Sequence, residues 1–296
     1  MLPQQLVNAV TLGSMYAVIA LGYTLVYGVL KLINFAHGDV FMVGAFVGLY
    51  AISSTHLHLP FALGVLLAMG ACSLLGVAIE RCAYRPLREA PRLAALITAI
   101  GMSLLLENSG QVAFGAQFRS YPALFPREPI GWIAQRLGVQ VTPSQMLLIA
   151  VSAGLMIGLH LVVQRTRFGR AIRAVSFDLR TSQLMGIRTD RIIVLTFALG
   201  SALAGAGGVL YGAYYGSIDP TMGIMPGIKA FVAAVLGGIG SVPGAMFGGL
   251  IMGLAEVGVI QFVGSQYRDA VAFAVLIVIL LVKPTGIFAR YQAERG

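Results

Sequence analysis

Three polar side chains stand within six positions of one another in the apolar segment KLINFAHGDVFMVGAFVG, residues 31–48. Asn34, His37 and Asp39 supply an amide, an imidazole and a carboxylate, groups that bind ions, exchange protons or satisfy free backbone groups. Two interpretations stay open. The segment is either a helix break inside a membrane, with its backbone groups satisfied by Asn34 and Asp39, or a turn in which Asp39 caps the next helix. Nothing in the pattern makes His37 a catalyst.

Three more ionisable residues, Glu107, Lys229 and Glu256, lie in apolar runs. Ionisable groups at membrane depth are costly and therefore indicate function by default. Glu107 and Lys229 are also compatible with positions near an interface, where side chains reach water. Glu256 has apolar residues on both sides, which favours the bundle interior and a pairing with Lys229 or with freed backbone groups. The predicted translocation-pathway residues are Asn34, His37, Asp39, Gly44, Gly48, Glu107, Lys229 and Glu256.

No catalytic constellation is present in the sequence. The phosphate-binding pattern GxxxxGK[ST] is missing, and so are HExxH, CxxC and GxSxG. His160 stands alone in an apolar run, where a hydrogen bond to a neighbouring helix explains it. We therefore predict a chain that is not an enzyme and that holds no cofactor or metal of its own.

The composition identifies the class of protein. Of the 296 residues, 58% are hydrophobic and 10% charged, and the mean hydropathy is +0.86. Several runs reach the roughly 20 apolar residues that cross a bilayer as a helix, whereas the alternation of barrel strands is absent. The net charge of +9 comes from clusters that flank apolar runs, so it indicates membrane topology and no nucleic-acid binding. Cys72 and Cys82 indicate neither a disulfide framework nor a zinc site.

The hydropathy pattern predicts an all-α polytopic membrane protein with a single domain over residues 1–296. We expect a bundle of about eight to ten transmembrane helices, with broken or short helices near 31–40 and 227–244. The predicted spans are 6–30, 40–54, 60–79, 93–114, 144–163, 192–212, 227–239, 244–263 and 269–282.

Arginine placement predicts the orientation. Segment 80–92 has four arginines and segment 164–191 has seven, so both are assigned to the cytoplasm together with the C-terminal tail. Loop 115–143 and the N-terminus then lie outside. Within that loop, PIGWIAQRL is predicted to be a short interfacial helix because it contains Trp132 beside apolar residues.

Small residues recur at spacing four, as in Gly44 and Gly48 or in Gly200, Ala204, Gly208 and Gly212. Such faces let helix backbones approach closely in a membrane. Two glycine-faced segments, 37–48 and 241–253, each follow a turn, as expected if the two halves of a transporter each contribute a discontinuous element. A true internal repeat and simple glycine richness both stay open.

The loop 164–191 contains an amphipathic helix. Phe168, Ile172, Val175 and Leu179 form one apolar stripe, and the other face has Arg170, Arg173, Asp178 and Arg180. Periodicity alone leaves two surfaces open for the stripe: anionic headgroups or a groove on a cytoplasmic protein.

Three long segments carry a resemblance to a known family. They are GSMYAVIALGYTLVYGVLKLINFAHGDVFMVGAF, GRAIRAVSFDLRTSQLMGIRTDRIIVLTFALGSALAGAGGVLYG and GIKAFVAAVLGGIGSVPGAMFGGLIMGLAE. Together they resemble the LivH-type permease subunit of bacterial branched-chain amino acid ABC importers, over about residues 12–288. LINFAHGD looks like the family signature after the first span.

The resemblance implies an inner-membrane permease that pairs with a homologous LivM-type permease. It also implies two cytoplasmic ATPase subunits, which bind ATP and Mg²⁺, and a periplasmic substrate-binding protein. Segment 164–191 is similar to the family's coupling loop, which favours docking on the ATPase; the implied coupling residues are Phe168, Arg170, Ile172, Arg173, Val175, Asp178, Leu179 and Gly186.

The expected function is ATP-driven import of branched-chain or related amino acids by alternating access. Import of urea or short-chain amides by the same architecture is the nearest alternative. A stand-alone secondary transporter, with Asp39 or Glu256 as its ion site, and a membrane scaffold without transport are the other classes.

Overall fold

The computed structural model describes residues 2–53, 57–88, 90–126, 128–131 and 138–288, and these residues form an all-α bundle with one small strand pair. The helices are α1 (Leu2–Leu30), α2 (His37–Ile52), α3 (Phe61–Ile79), α4 (Arg92–Phe114), α5 (Pro143–Arg165), α6 (Arg167–Phe177), α7 (Leu179–Leu184), α8 (Thr189–Tyr215), α9 (Ile224–Gly237), α10 (Val242–Phe262) and α11 (Ala270–Val282). A π-helical turn, Glu80–Tyr84, and a 3₁₀ turn, Arg85–Leu87, extend α3, and a second 3₁₀ turn covers Ser265–Tyr267.

The predicted fold class is confirmed. Within the described residues, six helical segments are long and apolar enough to cross a membrane, and α2, α9 and α11 are shorter apolar helices. These nine segments fall within the predicted eight to ten, and their bounds differ from the predicted ones by a few residues. Most of the predicted interfacial helix, 132–137, lies outside the described residues.

Helix α1 forms the centre of the bundle. In the apolar 18-residue stretch of α1, 94% of the residues are buried. In the corresponding stretch of α4 only 17% are buried, so α4 lies at the periphery. Small residues make the central packing close: a Cβ added to Gly13 would lie 2.8 Å from the Cα of Leu250 on α10. This is the packing that the glycine spacing predicts for a membrane bundle.

The two ends of the bundle differ in charge. At one end, the Arg88 guanidinium lies 2.5 Å from the Asp190 carboxylate, which joins segment 80–92 to the end of segment 164–191. We call this the arginine-rich end. At the opposite end, the Gln4 amide donates to the Gln140 carbonyl oxygen at 3.0 Å, and β1 (Arg119–Ser120) pairs antiparallel with β2 (Ser217–Ile218). The two arginine-rich segments thus share one end, as the sequence predicts.

Helices α2 and α9 each cross about half of the bundle. His37, at the start of α2, packs on Gly22, which lies eight residues before the end of α1, or about 12 Å from the arginine-rich end. From there α2 runs to the opposite end, where a Cβ on Gly48 would lie 2.7 Å from the Tyr121 hydroxyl. Helix α9 begins at the same depth and runs the other way, to Gly237.

The predicted broken or short helices near 31–40 and 227–244 are therefore present, but the partner of the first break is not the one expected. Segment 241–253 begins the long helix α10. The half-length counterpart of α2 is α9, which follows the irregular segment 219–223. The signal for this second break is the run that contains Asp219, Pro220 and Gly223, residue types that favour turns.

Candidate functional site

The first turns of α2 and α9 meet in the middle of the bundle. A Cβ on Gly38 would collide with the Gly223 carbonyl oxygen, and a Cβ on Gly223 would collide with that of Gly38. Two helix N-termini, each with a partial positive charge, thus converge at one depth. Discontinuous helices that begin near the membrane midplane form the substrate and ion sites of many transporters. The junction is therefore a candidate gate.

The polar residues of the first break bond to other side chains. The Tyr84 hydroxyl lies 3.0 Å from Asn34 Oδ1, and Ser103 Oγ lies 2.5 Å from Asp39 Oδ2. The expected capping role of Asp39 is not found, because α2 begins after Ala36 without a side-chain cap, although the Asp39 carboxylate lies within reach of its own backbone N–H. The sequence places these groups at a break, but their partners come from segments 50 and 64 residues away.

His37 is 1% exposed and packs edge-on against Tyr23, with ring centroids 4.6 Å apart. Among the described residues its ring nitrogens make no hydrogen bond of standard geometry, although the Ile19 carbonyl is within reach. Gly22 makes room for the ring, because a Cβ there would collide with it. His37 therefore links α1 to the α2–α9 junction by packing.

Three predicted pathway residues lie away from the junction. A Cβ on Gly44 would collide with Gly205, and one on Gly48 would collide with Val209, so this face of α2 packs against α8 and is closed in this structure. Glu107 is half-buried on peripheral α4, one turn beyond Ser103.

A cluster of four charged residues lies between α1, α9 and α10, toward the opposite end. Lys229 Nζ is 3.0 Å from Glu256 Oε1 and 2.8 Å from Asp269 Oδ1. The Arg268 guanidinium also bonds Glu256 Oε1, and the Tyr16 hydroxyl bonds Glu256 Oε2 at 2.7 Å. The side chains of Lys229 and Glu256 are 4% and 0% exposed. Of the two arrangements left open for Glu256, the pairing with Lys229 is the one found, and Arg268 and Asp269, which were not predicted, complete the cluster.

A cavity of about 220 Å³ opens beside this cluster. One wall contains charged groups of Lys229, Arg268 and Asp269, and the first turn of α9 contributes Met225 and Pro226. The remaining lining residues are Met15, Tyr16, Tyr211 and Tyr215. Three charged groups thus converge on a lining that also contains methionine, proline and tyrosine side chains, an arrangement that suits a small polar ligand.

Arg268 and Asp269 were not predicted as site residues because they stand in the short connection GSQYRDA between two apolar spans. Charges at such positions are usual where a helix leaves the membrane. Their part in the cluster depends on the three-dimensional fold, because the connection turns back toward α10 and places Arg268 against Glu256. An adjacent Arg–Asp pair in an otherwise uncharged connection was the available signal.

The amphipathic segment at the arginine-rich end consists of two helices, where one was predicted. Asp178 has extended backbone geometry, ends α6, and caps α7 by accepting a hydrogen bond from the Thr181 N–H. Hydrogen bonds from Thr181 lower the pKa of Asp178, so its carboxylate stays ionised. Gly186, which follows α7, has a φ of 80° that suits glycine.

The apolar stripe of this segment packs against the chain itself. Ile172 and Val175 are buried in the main core, and Phe168 and Leu179 pack against it. Arg173 donates to the Val163 carbonyl oxygen, whereas Arg170 is exposed. The stripe therefore anchors the loop. Three apolar side chains outside the stripe, those of Phe177, Leu184 and Met185, are exposed.

Comparisons with known proteins agree on one family. The family model described as "Branched-chain amino acid transport system / permease component" matches residues 5–280. The high-affinity branched-chain amino acid transport system permease protein LivH of Salmonella typhimurium is 46% identical over 99% of this chain and 97% of its own. The permease protein BraD of Pseudomonas aeruginosa, described in the same words, has the same identity and coverage.

A more distant relative is named for a different substrate. The autoinducer 2 import system permease protein LsrC of Yersinia enterocolitica is 30% identical over 55% of this chain and 42% of its own. Similarity to this family therefore extends to permeases that are not named for amino acids.

Proposed function

Since the chain belongs to the family of branched-chain amino acid transport system permease components, we propose that it is the membrane-spanning permease of an ATP-driven importer. Its substrates are branched-chain or related amino acids, and its membrane is the bacterial inner membrane. The 46% identity to LivH and BraD over nearly the whole chain supports this substrate class.

One observation supports the ATP-driven class most directly: the exposed tip of α6 and α7 at the arginine-rich end. Phe177, Leu184 and Met185 are 79%, 87% and 78% exposed, although the loop that carries them is anchored in the core. Apolar side chains on an anchored, water-facing loop fit a docking surface. We assign this tip to a cytoplasmic ATPase subunit, one of two that bind ATP and Mg²⁺, because this chain has no phosphate loop.

A homologous LivM-type permease and a periplasmic binding protein complete the proposed assembly. The binding protein delivers substrate at the opposite end, where the cavity beside Lys229 opens. Segment 164–191 then faces the cytoplasm, as its arginines predict.

The contacts suggest how ATPase movement reaches the gate. Ser176 on α6 lies against Gly28 near the end of α1, and Gly22, two turns earlier, holds His37. A displacement of α6 is therefore passed to α1 and from there to the first turn of α2. Because interfaces of small residues support discrete alternative packings, we expect this displacement to move the α2–α9 junction from the closed packing described above to an open one.

Reconstitution with and without partners tests the proposal. The chain is placed in liposomes alone, or with the second permease, the ATPases and the binding protein encoded beside it, and uptake of labelled leucine and labelled urea is measured. We expect leucine uptake only in the complete assembly and only with ATP. Uptake by the chain alone, or urea uptake that exceeds leucine uptake, would contradict the proposal.

A further inference from the structure

Arg268 and Asp269 present unused binding capacity side by side at the cavity. The Arg268 side chain is 41% exposed; its Nε bonds Glu256, and its second contact is with the Tyr215 hydroxyl at 3.4 Å. The Asp269 side chain is 52% exposed, and among the described residues its carboxylate meets only Lys229. One edge of a guanidinium and one carboxylate oxygen are therefore left for a ligand.

The deeper groups are already paired. Glu256 Oε1 accepts from Lys229 and Arg268, and its Oε2 accepts from Tyr16. Lys229 lies between two carboxylates. These contacts fix the positions of Arg268 and Asp269, since a buried charge without partners is strongly unfavourable. Lys229 and Glu256 therefore hold the cluster in place, whereas Arg268 and Asp269 are the residues that can bind a ligand.

We propose that this cavity binds a zwitterionic α-amino acid on its way through the permease. The ligand carboxylate binds the free edge of the Arg268 guanidinium, and the ligand ammonium binds Asp269. The apolar side chain lies against Met15, Met225 and Pro226. The choice of an amino acid as ligand rests on the proposed function.

Charge balance favours a zwitterion. The cluster contains two cations, Lys229 and Arg268, and two anions, Glu256 and Asp269, so its formal charge is zero. A zwitterion adds one charge of each sign and preserves that balance. An organic anion or cation alone would leave the cluster with one uncompensated charge, which is unfavourable where the cluster is buried. A neutral amide would keep the balance but would offer no charged group to the free edge of Arg268 or to the free oxygen of Asp269.

The geometry and size agree with this ligand class. A guanidinium edge donates two parallel hydrogen bonds to a carboxylate. The cavity volume of about 220 Å³ lies below the range of about 300–1,000 Å³ usual for drug-sized ligands, which agrees with a small ligand. The cavity lies toward the end at which the proposed binding protein delivers substrate, so it suits the first position of the substrate in this chain.

A thiol-protection experiment tests the site without requiring transport. Met225→Cys is made in a Cys82→Ser background, since Cys82 is exposed and Cys72 is buried. Met225 is 43% exposed and lines the cavity, so a water-soluble maleimide should label it. Labelling of this chain is followed in membranes that contain the complete assembly. The ligands are leucine, 4-methylpentanoate, which lacks the ammonium, 3-methylbutylamine, which lacks the carboxylate, and urea.

We expect leucine to slow the labelling and the three other compounds to have no comparable effect. Arg268→Gln or Asp269→Asn should raise the leucine concentration needed for half-protection about tenfold, the loss typical of one charge-assisted contact. Two controls accompany these variants. Arg119→Gln in β1 should leave the leucine concentration for half-protection unchanged. Phe118→Cys, at an exposed site outside the cavity lining, should be labelled at the same rate with and without leucine.

Three results would overturn the site: no protection by leucine up to its solubility limit, equal protection by a single-charge analogue, or full protection in both charge variants. Leucine uptake is measured in parallel on the assembly with the native sequence. Uptake without zwitterion-selective protection would contradict the site alone. Selective protection without ATP-dependent uptake would contradict the proposed function and retain the site.

Discussion

Gly38 and Gly223 bring the backbones of two half-length helices into direct contact at the centre of the bundle. Each glycine faces the carbonyl of the other, so neither position has room for a Cβ. The obstacle is backbone, which cannot rotate away as a flexible side chain can. The α2–α9 junction therefore depends on two glycines that lie 185 positions apart in the sequence.

Alanine at either position should damage this junction. We expect Gly38→Ala and Gly223→Ala each to lower the free energy of unfolding by about 1–3 kcal/mol, as for overpacked cores, and to abolish most leucine uptake. Thermal unfolding in detergent and uptake by the complete assembly measure the two effects.

Gly70→Ala is the matched control. Gly70 lies within α3, and a Cβ there meets nothing within 4 Å. Alanine is favoured over glycine inside helices by about 0.5–1 kcal/mol, so this variant should be as stable as the native chain or slightly more so. Equal damage from Gly70→Ala and Gly38→Ala would remove the junction as the explanation.

The sequence predicts this architecture well where the signal is local. The helix predicted at 93–114 is α4, Arg92–Phe114, because one uninterrupted apolar run determines where the helix begins and where it ends. The shared end of segments 80–92 and 164–191 also follows from composition, since clustered arginines avoid the membrane interior. The pairing of Lys229 with Glu256 could be foreseen as one of two alternatives, because both charges lie in apolar runs where an unpaired charge is costly.

Long-range partners could not be predicted in the same way. Nothing near Asn34 in the sequence identifies Tyr84 as its donor, or Ser103 as the donor to Asp39. The stripe through Ile172 and Val175 shows the correct period, but periodicity does not tell whether the covering surface is a partner or the chain itself.

Removing one partner of the buried Lys229–Glu256 pair should lower the stability strongly, because the other charge is then left buried. Glu256→Gln keeps the side-chain size but removes the charge that faces Lys229 and Arg268. Breaking one side of a buried ion pair costs about 3 kcal/mol or more, so we expect a clear fall in the free energy of unfolding and in leucine uptake. Thermal unfolding of the purified chain in detergent measures the first effect.

An exposed ion pair supplies the comparison. Arg85 and Asp190 lie 3.4 Å apart with side chains 55% and 60% exposed. Exposed pairs contribute about 0–1 kcal/mol, so Arg85→Gln should change stability far less than Glu256→Gln. If the two variants lose equal stability, burial is not what makes the Lys229–Glu256 pair important.

The tip of α6 and α7 should affect coupling without affecting folding. Leu184→Ser and Met185→Ser change side chains that are 87% and 78% exposed, so stability should stay within about 0.5 kcal/mol. ATP-dependent leucine uptake should fall, because the proposed contact with the ATPase is apolar. Arg170→Glu, which reverses an exposed charge beside the tip, should weaken the same contact.

Ile172→Ser distinguishes docking from anchoring. Ile172 is 4% exposed in the core, so the serine should lower stability by about 2–5 kcal/mol, the range for large-to-small core substitutions. Native uptake by Leu184→Ser and Met185→Ser would contradict the docking role, whereas instability of both would indicate that the tip also supports the fold.

Tyr84→Phe should weaken the first helix break by removing one hydroxyl. That hydroxyl lies 3.0 Å from Asn34 Oδ1, and both residues are buried, at 1% and 2% exposure. Phenylalanine leaves the amide oxygen without this donor, which costs about 1–3 kcal/mol. Thermal unfolding should show this loss, and Asn34→Leu combined with Tyr84→Phe should recover part of it because both polar partners are then gone. Tyr267→Phe, at a tyrosine that is 48% exposed, should leave stability unchanged. If the double variant loses more free energy of unfolding than the two single variants lose together, Asn34 stabilises the break through a contact other than the one with Tyr84.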